Sequence, residues 1–392
     1  MPASGRSYII AGAGISGLTL ALTLAKFGAT VVVLERNATL QEAGAGLQIS
    51  PNARHVLDRL GLDVAMAHYA MEPAALDSYR GWETKPFFSM ELGPLMTEKF
   101  GAPYAVMHRA DLADALYKAT RRFANIDIIF GVRNWDVASH ARGVTVSVDE
   151  ADGQTRTTRA NAFIGADGVH SHTRRAILQG PDAKFGGRIA WRALVSADSV
   201  AGQIAPDRVS VFFAAGYHLV CYPLPHRRQV NLALFLPGKA EAQPQLPKLQ
   251  ARGVIGVLLA AAGQNWTPWP LYTVETPVWH RGNIGLVGDA AHAMVPFQAQ
   301  GAAMGIEDAA TLGPLLAESD EPESALMRYE AIRRPRVQRV AKLSAANGRI
   351  FHMRWPLTLA RDTVMRLQGP QGHLKRLGWI YGHNVAPEET GL

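Results

Sequence analysis

The sequence predicts an α/β protein in which a mostly parallel, Rossmann-like βαβ layer is interrupted by a mostly antiparallel β-sheet domain and followed by C-terminal helices. Three observations carry this. An apolar run at 8–11 breaks into Gly12-Ala13-Gly14-Ile15-Ser16-Gly17, resumes as an apolar helix to about Phe27, and is followed by a second strand at 29–34. From Gly186 to about Thr276 apolar and polar residues alternate in short runs, the period of strands with one buried face. Beyond residue 302 the apolar spacing becomes helical, over 302–316, 323–350 and 357–367.

The opening unit also points to a ligand. Its three glycines have separate tasks: a tight turn, close approach of backbone to a pyrophosphate, and close packing of helix on strand. The helix start offers unpaired N–H groups and the positive end of a dipole to phosphates. Glu35 closes a run of apolar residues at the end of the second strand, where it can accept both hydroxyls of an adenosine ribose. A glycine-rich turn without a ligand leaves that acid unexplained.

The remaining elements follow in order. Residues 41–52, QEAGAGLQISPN, place Gly44 and Gly46 where backbone can lie against a ligand, and a short helix at 53–60 stops at Gly61. Residues 73–106 lack a βαβ rhythm and read as an excursion into a second, sheet-based layer. His108-Arg109-Ala110-Asp111 leads into a helix at 112–123. A hairpin follows, with strict alternation at 144–148 and Asp152-Gly153 at its turn. A buried strand at 162–164 runs into Gly165-Ala166-Asp167-Gly168. Strands at 188–195, 208–214, 220–224 and 230–235 make the inserted sheet, with a helix over 246–262. A strand at 284–287 returns to the first layer and ends in Gly288-Asp289. The helix at 323–350 is expected to be interrupted at Arg334-Pro335, and its basic stretch, 328–342, reads as a solvated face.

Composition narrows the classes. The chain has 392 residues, 48% of them hydrophobic, enough for two layers around a sizeable core. Its net charge of +7 is scattered, which favours anionic small molecules over nucleic acid. One cysteine, Cys221, permits no disulfide within the chain and suits a reducing cytoplasm. The start, MPASGRS, has no apolar leader, and no apolar run reaches the length of a membrane span. A protein of the cytoplasm is expected, without a metal.

Three stretches taken together resemble the class A flavoprotein monooxygenases of the p-hydroxybenzoate hydroxylase fold. They are GAGISG with Glu35, GADGVHSHTRR at 165–175, and GLVGDAAHAMVPFQAQGAAMGIEDA at 285–309. Within that family the chain looks most like the salicylate hydroxylase, 3-hydroxybenzoate 6-hydroxylase and 6-hydroxynicotinate 3-monooxygenase group, and the likeness covers nearly the whole chain. WIYGH at 379–383 resembles the group's Trp-x-Tyr-x-Tyr ending, from which His383 and Asn384 depart. The resemblance implies FAD, held through Gly12, Gly14, Ser16, Gly17, Glu35, Arg36, Gly46, Arg109, Asp167, Gly288, Asp289, Pro296, Gly301 and Ala302. For Asp167 and Asp289 a helix N-cap is the competing reading. It also implies a discontinuous FAD-binding domain (1–72, 107–180 and 277–350), a substrate domain (73–106 and 181–276) and a C-terminal helical segment (351–392). The activity it implies is hydroxylation of an aromatic or heteroaromatic acid with O2 through a flavin C4a-hydroperoxide. NADH or NADPH would visit transiently, and the enzyme would be a monomer or homodimer. A flavin oxidase or dehydrogenase of the same fold, or a non-catalytic FAD-binding redox protein, are the alternatives.

The substrate side rests on His218-Leu219-Val220-Cys221-Tyr222-Pro223. On a strand, i and i+4 share a face, so His218 and Tyr222 look the same way and Cys221 looks the other. In some members of the family a His and Tyr at this spacing bind and activate a phenolic or pyridinol substrate. An imidazole of neutral-range pKa suits the removal of a phenolic proton. A purely structural hydrogen bond under the flavin loop is the other reading of His218. Arg192 offers a cation to a carboxylate or else braces the domain interface. Gln48, Pro296 and Phe297 complete the expected substrate contacts; Gln48 stands where some hydroxynicotinate-type relatives have His.

Overall fold

The computed structural model describes all residues except 41–44, 82, 151–152, 242, 250 and 386–392. Gly44 and Asp152 therefore lie outside the described residues. Six strands form the first sheet, in the order His280–Arg281, Ile284–Leu286, Ala162–Gly165, Ser7–Ala11, Thr30–Glu35, Ile126–Phe130. All neighbours are parallel except the first pair. Ala11 is in register with Leu34 and with Gly165, and Gly165 with Leu286. The strands thus end together, and the glycine turns at 12, 165 and 288 leave from one edge. In a parallel sheet this carboxyl edge is where ligands bind.

Helix Ile15–Lys26 returns along this sheet and packs on helix Gly301–Glu318. The close approach needs small residues. A Cβ on Gly305 would stand 2.0 Å from the Ser16 hydroxyl, and one on Gly313 would stand 2.4 Å from a Thr23 methyl.

The second sheet has seven strands in the order Thr267–Thr273, Lys184–Ser196, Gln229–Pro237, Tyr217–Leu224, Arg208–Ala214, Ala75–Arg80, Phe88–Glu91. It is antiparallel except where Ala75–Arg80 runs parallel to Arg208–Ala214. The excursion at 73–106 thus supplies two strands of this sheet, and also a helix, Gly93–Phe100, that the sequence pattern does not announce. Each strand separates two environments. From Tyr217–Leu224, Leu219 and Cys221 enter an apolar cluster with Trp191 and Leu258, while His218, Val220 and Tyr222 face a cavity between the sheets.

Three expectations need correction. The helix expected over 246–262 spans only Gly253–Ala262; Gly253 has φ +57°, a conformation that a right-handed helix arriving from 246 cannot run through. The helix Pro322–Phe351 runs through Pro335 without the expected interruption. Buried ionic contacts on both sides of the proline, described below, hold it. The last helix runs past 367 to Tyr381, with a break at Gly369 (φ 64°, ψ 170°) before Pro370. Among the described residues no helix is long and apolar enough to cross a membrane.

Candidate active site

A cavity of about 740 Å³ lies between the carboxyl edge of the parallel sheet and the inner face of the second sheet. Its floor is backbone. Gly14 and Gly301 start helices Ile15–Lys26 and Gly301–Glu318, neither of which has a side-chain cap at its N-terminus. A Cβ on Gly14 or Gly301 would meet nothing within 4 Å, so both helix ends open into free space. Their first N–H groups have no intrahelical acceptor, and the dipole makes both ends electropositive. Gly12 adopts φ +106°, and a Cβ there would strike the Ala166 carbonyl at 2.5 Å. A Cβ on Gly17 would lie 2.0 Å from the Gly12 carbonyl oxygen. Two uncapped helix ends facing one cleft, with a cradle that excludes any side chain, fit a ligand that is phosphorylated and electron-rich along its length. FAD is such a ligand.

The expected cofactor residues divide into two groups. Gly14, Ser16, Gly46, Arg109, Asp289, Pro296, Gly301 and Ala302 line the cavity. Gly12, Gly17, Glu35, Arg36, Asp167 and Gly288 do not, and most of these shape the turns behind it. Glu35 accepts the Ala13 N–H at 3.0 Å and both the backbone (2.9 Å) and side-chain (2.8 Å) N–H groups of Asn37, so it fixes the glycine turn as well as ending its strand. Arg36 is exposed beyond it. Asp167 accepts from the Ser171 hydroxyl (2.6 Å) and from the Thr173 N–H (2.9 Å), which fixes the turn between its strand and Thr173–Ile177, while its neighbours Ala166, Gly168 and Val169 line the cavity. Gly288, at φ +61°, leaves room for Ser16, whose hydroxyl would sit 2.5 Å from a Cβ there. Asp289 is exposed to the cavity.

The loop before helix Gly301–Glu318 is rigidly held. Ala299 has φ +55°, unusual for a residue with a Cβ. Asn347 donates to the Phe297 carbonyl (3.2 Å) and the Gln298 side chain (2.6 Å), and Ser344 donates to the Val295 carbonyl (2.6 Å). Gln300 donates to Ser50 (2.8 Å) and accepts from Asn52 (3.1 Å).

Behind the loop lies a charged cluster that sequence reasoning missed. Glu307 and Asp308 are fully buried. Arg333 donates to both, Nε to Asp308 at 2.8 Å and Nη1 to Glu307. Arg336 forks onto Glu307 at 2.7 Å for each bond, and Asn52 donates to the same carboxylate at 2.6 Å. Asp308 also meets His292 at 2.6 Å and accepts the Gly288 N–H at 2.9 Å. Burial alone would raise both carboxyl pKa values; Arg333 with Arg336 outweighs it at Glu307, held at about 2, and His292 with Arg333 outweighs it at Asp308. The stretch 328–342 is thus only partly a solvated face: Arg328, Arg339 and Lys342 are exposed, while Arg333 is buried and Arg336 half-buried on the carboxylates. The signal was present as Glu307-Asp308 inside an otherwise apolar helix, facing an Arg-Arg-Pro-Arg run.

On the substrate side, His218 is buried with its ring stacked on Phe235 (centroids 4.4 Å apart) and edge-on to Phe297 (5.5 Å) and Phe351 (5.3 Å). Its Nδ1 lies 2.8 Å from Nε2 of His352, a partner the sequence did not announce. One of those nitrogens donates, so His352 selects the tautomer and thereby what His218 Nε2 presents to the cavity. Burial, then His352 and Arg188, push the His218 pKa well below its usual 6.5. The expected neutral-range imidazole is thus corrected: this one is held neutral.

Tyr222 lines the cavity as expected and burial drives its phenol upward, against the pull of Arg192. Four residues along a strand set the Cα atoms of His218 and Tyr222 roughly 13 Å apart, and both side chains face the cavity. Arg192 lies with its guanidinium 5.4 Å over Trp269, its Nε buried without a partner among the described residues. Gln48 accepts from Tyr104, and Phe297 and Pro296 lie in the wall.

The chain matches the family described as FAD binding domain over residues 7–213 and 242–344. It is 31% identical over 387 residues to 3-hydroxybenzoate 6-hydroxylase 1 of Aquipseudomonas alcaligenes, covering 96% of this chain and 97% of that one. It is 31% identical over 363 residues to 6-hydroxynicotinate 3-monooxygenase of Pseudomonas fluorescens, covering 86% and 90%. In fold it is similar to a salicylate hydroxylase substrate complex (TM-score 0.77, 24% identity, 98% and 97% covered). It is also similar to Klebsiella pneumoniae HpxO complexed with FAD and uric acid (TM-score 0.83, 22% identity, 96% of each covered). The glycine cradle, the two open helix ends and these matches have one reading: the chain belongs to the FAD binding domain family, as a class A FAD-dependent aromatic monooxygenase.

Proposed function

We propose that the enzyme hydroxylates a ring-hydroxylated aromatic or heteroaromatic carboxylic acid, with NADH or NADPH as reductant and O2 as oxygen source. The observation that carries the reading is His218 in its wall of Phe235, Phe297 and Phe351, directly against the loop that starts helix Gly301–Glu318. That wall fits a flat ring with a polar substituent. The acid class also follows the relatives, whose names specify hydroxybenzoates and a hydroxynicotinate.

FAD, when bound, supplies electron transfer from the nicotinamide and activation of oxygen. The chain's own residues do the rest. The N-terminus of Ile15–Lys26 would receive the pyrophosphate, Glu35 the ribose, and Asp289 the polyol. The N–H groups at Gly301 and Ala302 would lie toward the flavin and stabilise negative charge on it. His218 Nε2 holds the substrate's ring hydroxyl, while Arg192 and Tyr222 polarise the part of the cavity they share. Segments 1–72, 107–180 and 277–350 bind FAD, 73–106 and 181–276 cover the substrate, and residues 353–381 of the C-terminal helical segment contribute to the cavity wall. The enzyme works in the cytoplasm as a monomer or homodimer.

The test is NAD(P)H oxidation with a panel of hydroxybenzoates and hydroxypyridine carboxylates under labelled O2. Oxidation should be slow alone and accelerate with an effective acid, one labelled oxygen entering the product. Peroxide as the only oxygen product with every acid would refute the proposal.

A further inference from the structure

Besides Arg109 and Arg192 the cavity wall carries Arg361, with Arg376 further along the same helix, in a part that no FAD motif supplies. Arg361, from the helix Leu357–Tyr381, lines the cavity with its side chain only 4% exposed. Its guanidinium carbon stands 4.7 Å over the Phe213 ring and 6.0 Å from Phe87. Nε donates to Asp362 Oδ1 at 2.7 Å, but Nη1 is buried with no hydrogen-bond partner among the described residues. Asp362 does not neutralise Arg361 alone, because its other oxygen accepts from Arg80 Nε at 2.6 Å. A desolvated guanidinium with an unused donor is costly to keep in a fold. An anion in the cavity would complete it.

Aromatic surface connects this cation to the residue proposed to hold the ring hydroxyl. Phe213 packs on Phe351 at 5.1 Å, and Phe351 on His218 at 5.3 Å. We propose that Arg361 receives the substrate's carboxylate, so that the ring lies along Phe213 and Phe351 with its hydroxyl toward His218. The inference rests on the aromatic-acid reading above and assigns the acid group to one residue. Arg192 differs in its surroundings: the charged and phenolic groups that act on it are Tyr222 and Arg109, the latter an expected cofactor residue. Its charge serves that side of the cavity. Arg361 would be a specificity residue, distinguishing acids from neutral analogues of the same ring, because the fork geometry of guanidinium matches carboxylate and not amide.

The experiment measures binding to the FAD-loaded enzyme by calorimetry, with 3-hydroxybenzoate against 3-hydroxybenzamide, salicylate against salicylamide, and 6-hydroxynicotinate against its amide. Wild type should prefer at least one acid to its amide. Arg361→Met should weaken that acid by about 10- to 100-fold, the range for a lost hydrogen bond to a charged group, and leave the amide unchanged. Arg361→Lys should fall between, since it keeps charge without the fork. If Arg361→Met does not load FAD, the lysine and glutamine variants decide the matter, glutamine losing the preference that lysine partly keeps. An unchanged acid preference in the Arg361 variants, lost instead in Arg192→Met, would overturn the assignment while leaving the aromatic-acid reading intact. No acid binding wild type at all would overturn both.

Discussion

Arg333→Met should destabilise the enzyme by an amount that depends on pH in a defined direction. The substitution removes the Nε bond to Asp308 (2.8 Å), the bond to Glu307 and the Nη2 bond to the Met304 carbonyl (3.1 Å), all buried. Removing one partner of a buried ion pair costs about 3–5 kcal/mol. Arg336 remains on Glu307 and His292 on Asp308, so the lower end, about 3 kcal/mol, is expected. Against a typical stability of about 5–15 kcal/mol that is a large fraction. In wild type the Glu307 carboxyl is held at about 2 instead of 4.5, so its stabilising contribution is complete above pH 4.5 and disappears as pH falls toward 2. In the variant the carboxylates lose the cation that held them down, and protonation relieves them. The gap in melting temperature between wild type and variant should therefore be widest near pH 7 and narrow below pH 4.5. FAD content should fall as well, since Asp308 holds the Gly288 N–H and Glu307 holds Asn52, which holds Gln300. Thermal melts at several pH values, with absorbance at the flavin band, make the measurement. Equal melting temperatures, or a gap that persists unchanged into acid, would refute the reasoning.

Three further outcomes follow from single contacts. Gly17→Ala puts a methyl 2.0 Å from the Gly12 carbonyl oxygen and should abolish FAD retention, read as loss of the flavin spectrum in purified protein. His218→Ala should lower the hydroxylation rate by roughly 10²–10⁴-fold while FAD stays bound, and an unaltered rate would show that the histidine is structural. His352, whose pKa burial and Arg188 lower from 6.5 to about 4, binds fewer protons folded than unfolded in that interval. Its contribution to stability is complete above pH 6.5 and lost as pH falls toward 4, so His352→Gln should flatten the pH dependence of melting there.

What the sequence disclosed is what depends on near neighbours along the chain. The glycine turn is legible because strand, turn and helix are contiguous, and each glycine answers a backbone constraint within a few residues of itself. The inner and outer faces of the second sheet are legible because strand alternation is local, which is how Cys221 could be separated from His218 and Tyr222. Partners distant in sequence were not legible. His352 lies 134 residues from His218, and Arg333 lies 26 from Glu307 on another helix. A basic run on a helix has the same composition whether it faces water or carboxylates, and only the packing of Gly301–Glu318 against Pro322–Phe351 decides.

The pair His218 and Tyr222 shows where a correct pattern stops short of chemistry. Spacing by four on a strand fixes which face both occupy, and both do line the cavity. It also sets their Cα atoms roughly 13 Å apart, so what passes between the two functional groups depends on how the side chains lean and on the ring bound between them. The face argument thus assigns each residue to the site and leaves the division of work between them to their own contacts. The structure supplies His218 a different partner, and a neutral one. Two neutral imidazoles joined by one hydrogen bond at 2.8 Å, among three phenylalanines, cannot take up an additional proton without a large desolvation cost. Such a histidine suits orienting a ring hydroxyl and accepting its proton briefly, as charge moves into the ring. It does not suit storing that proton between turnovers. The proton must then leave by way of the cavity, and the rate should follow the ionisation of the bound substrate more closely than that of the imidazole.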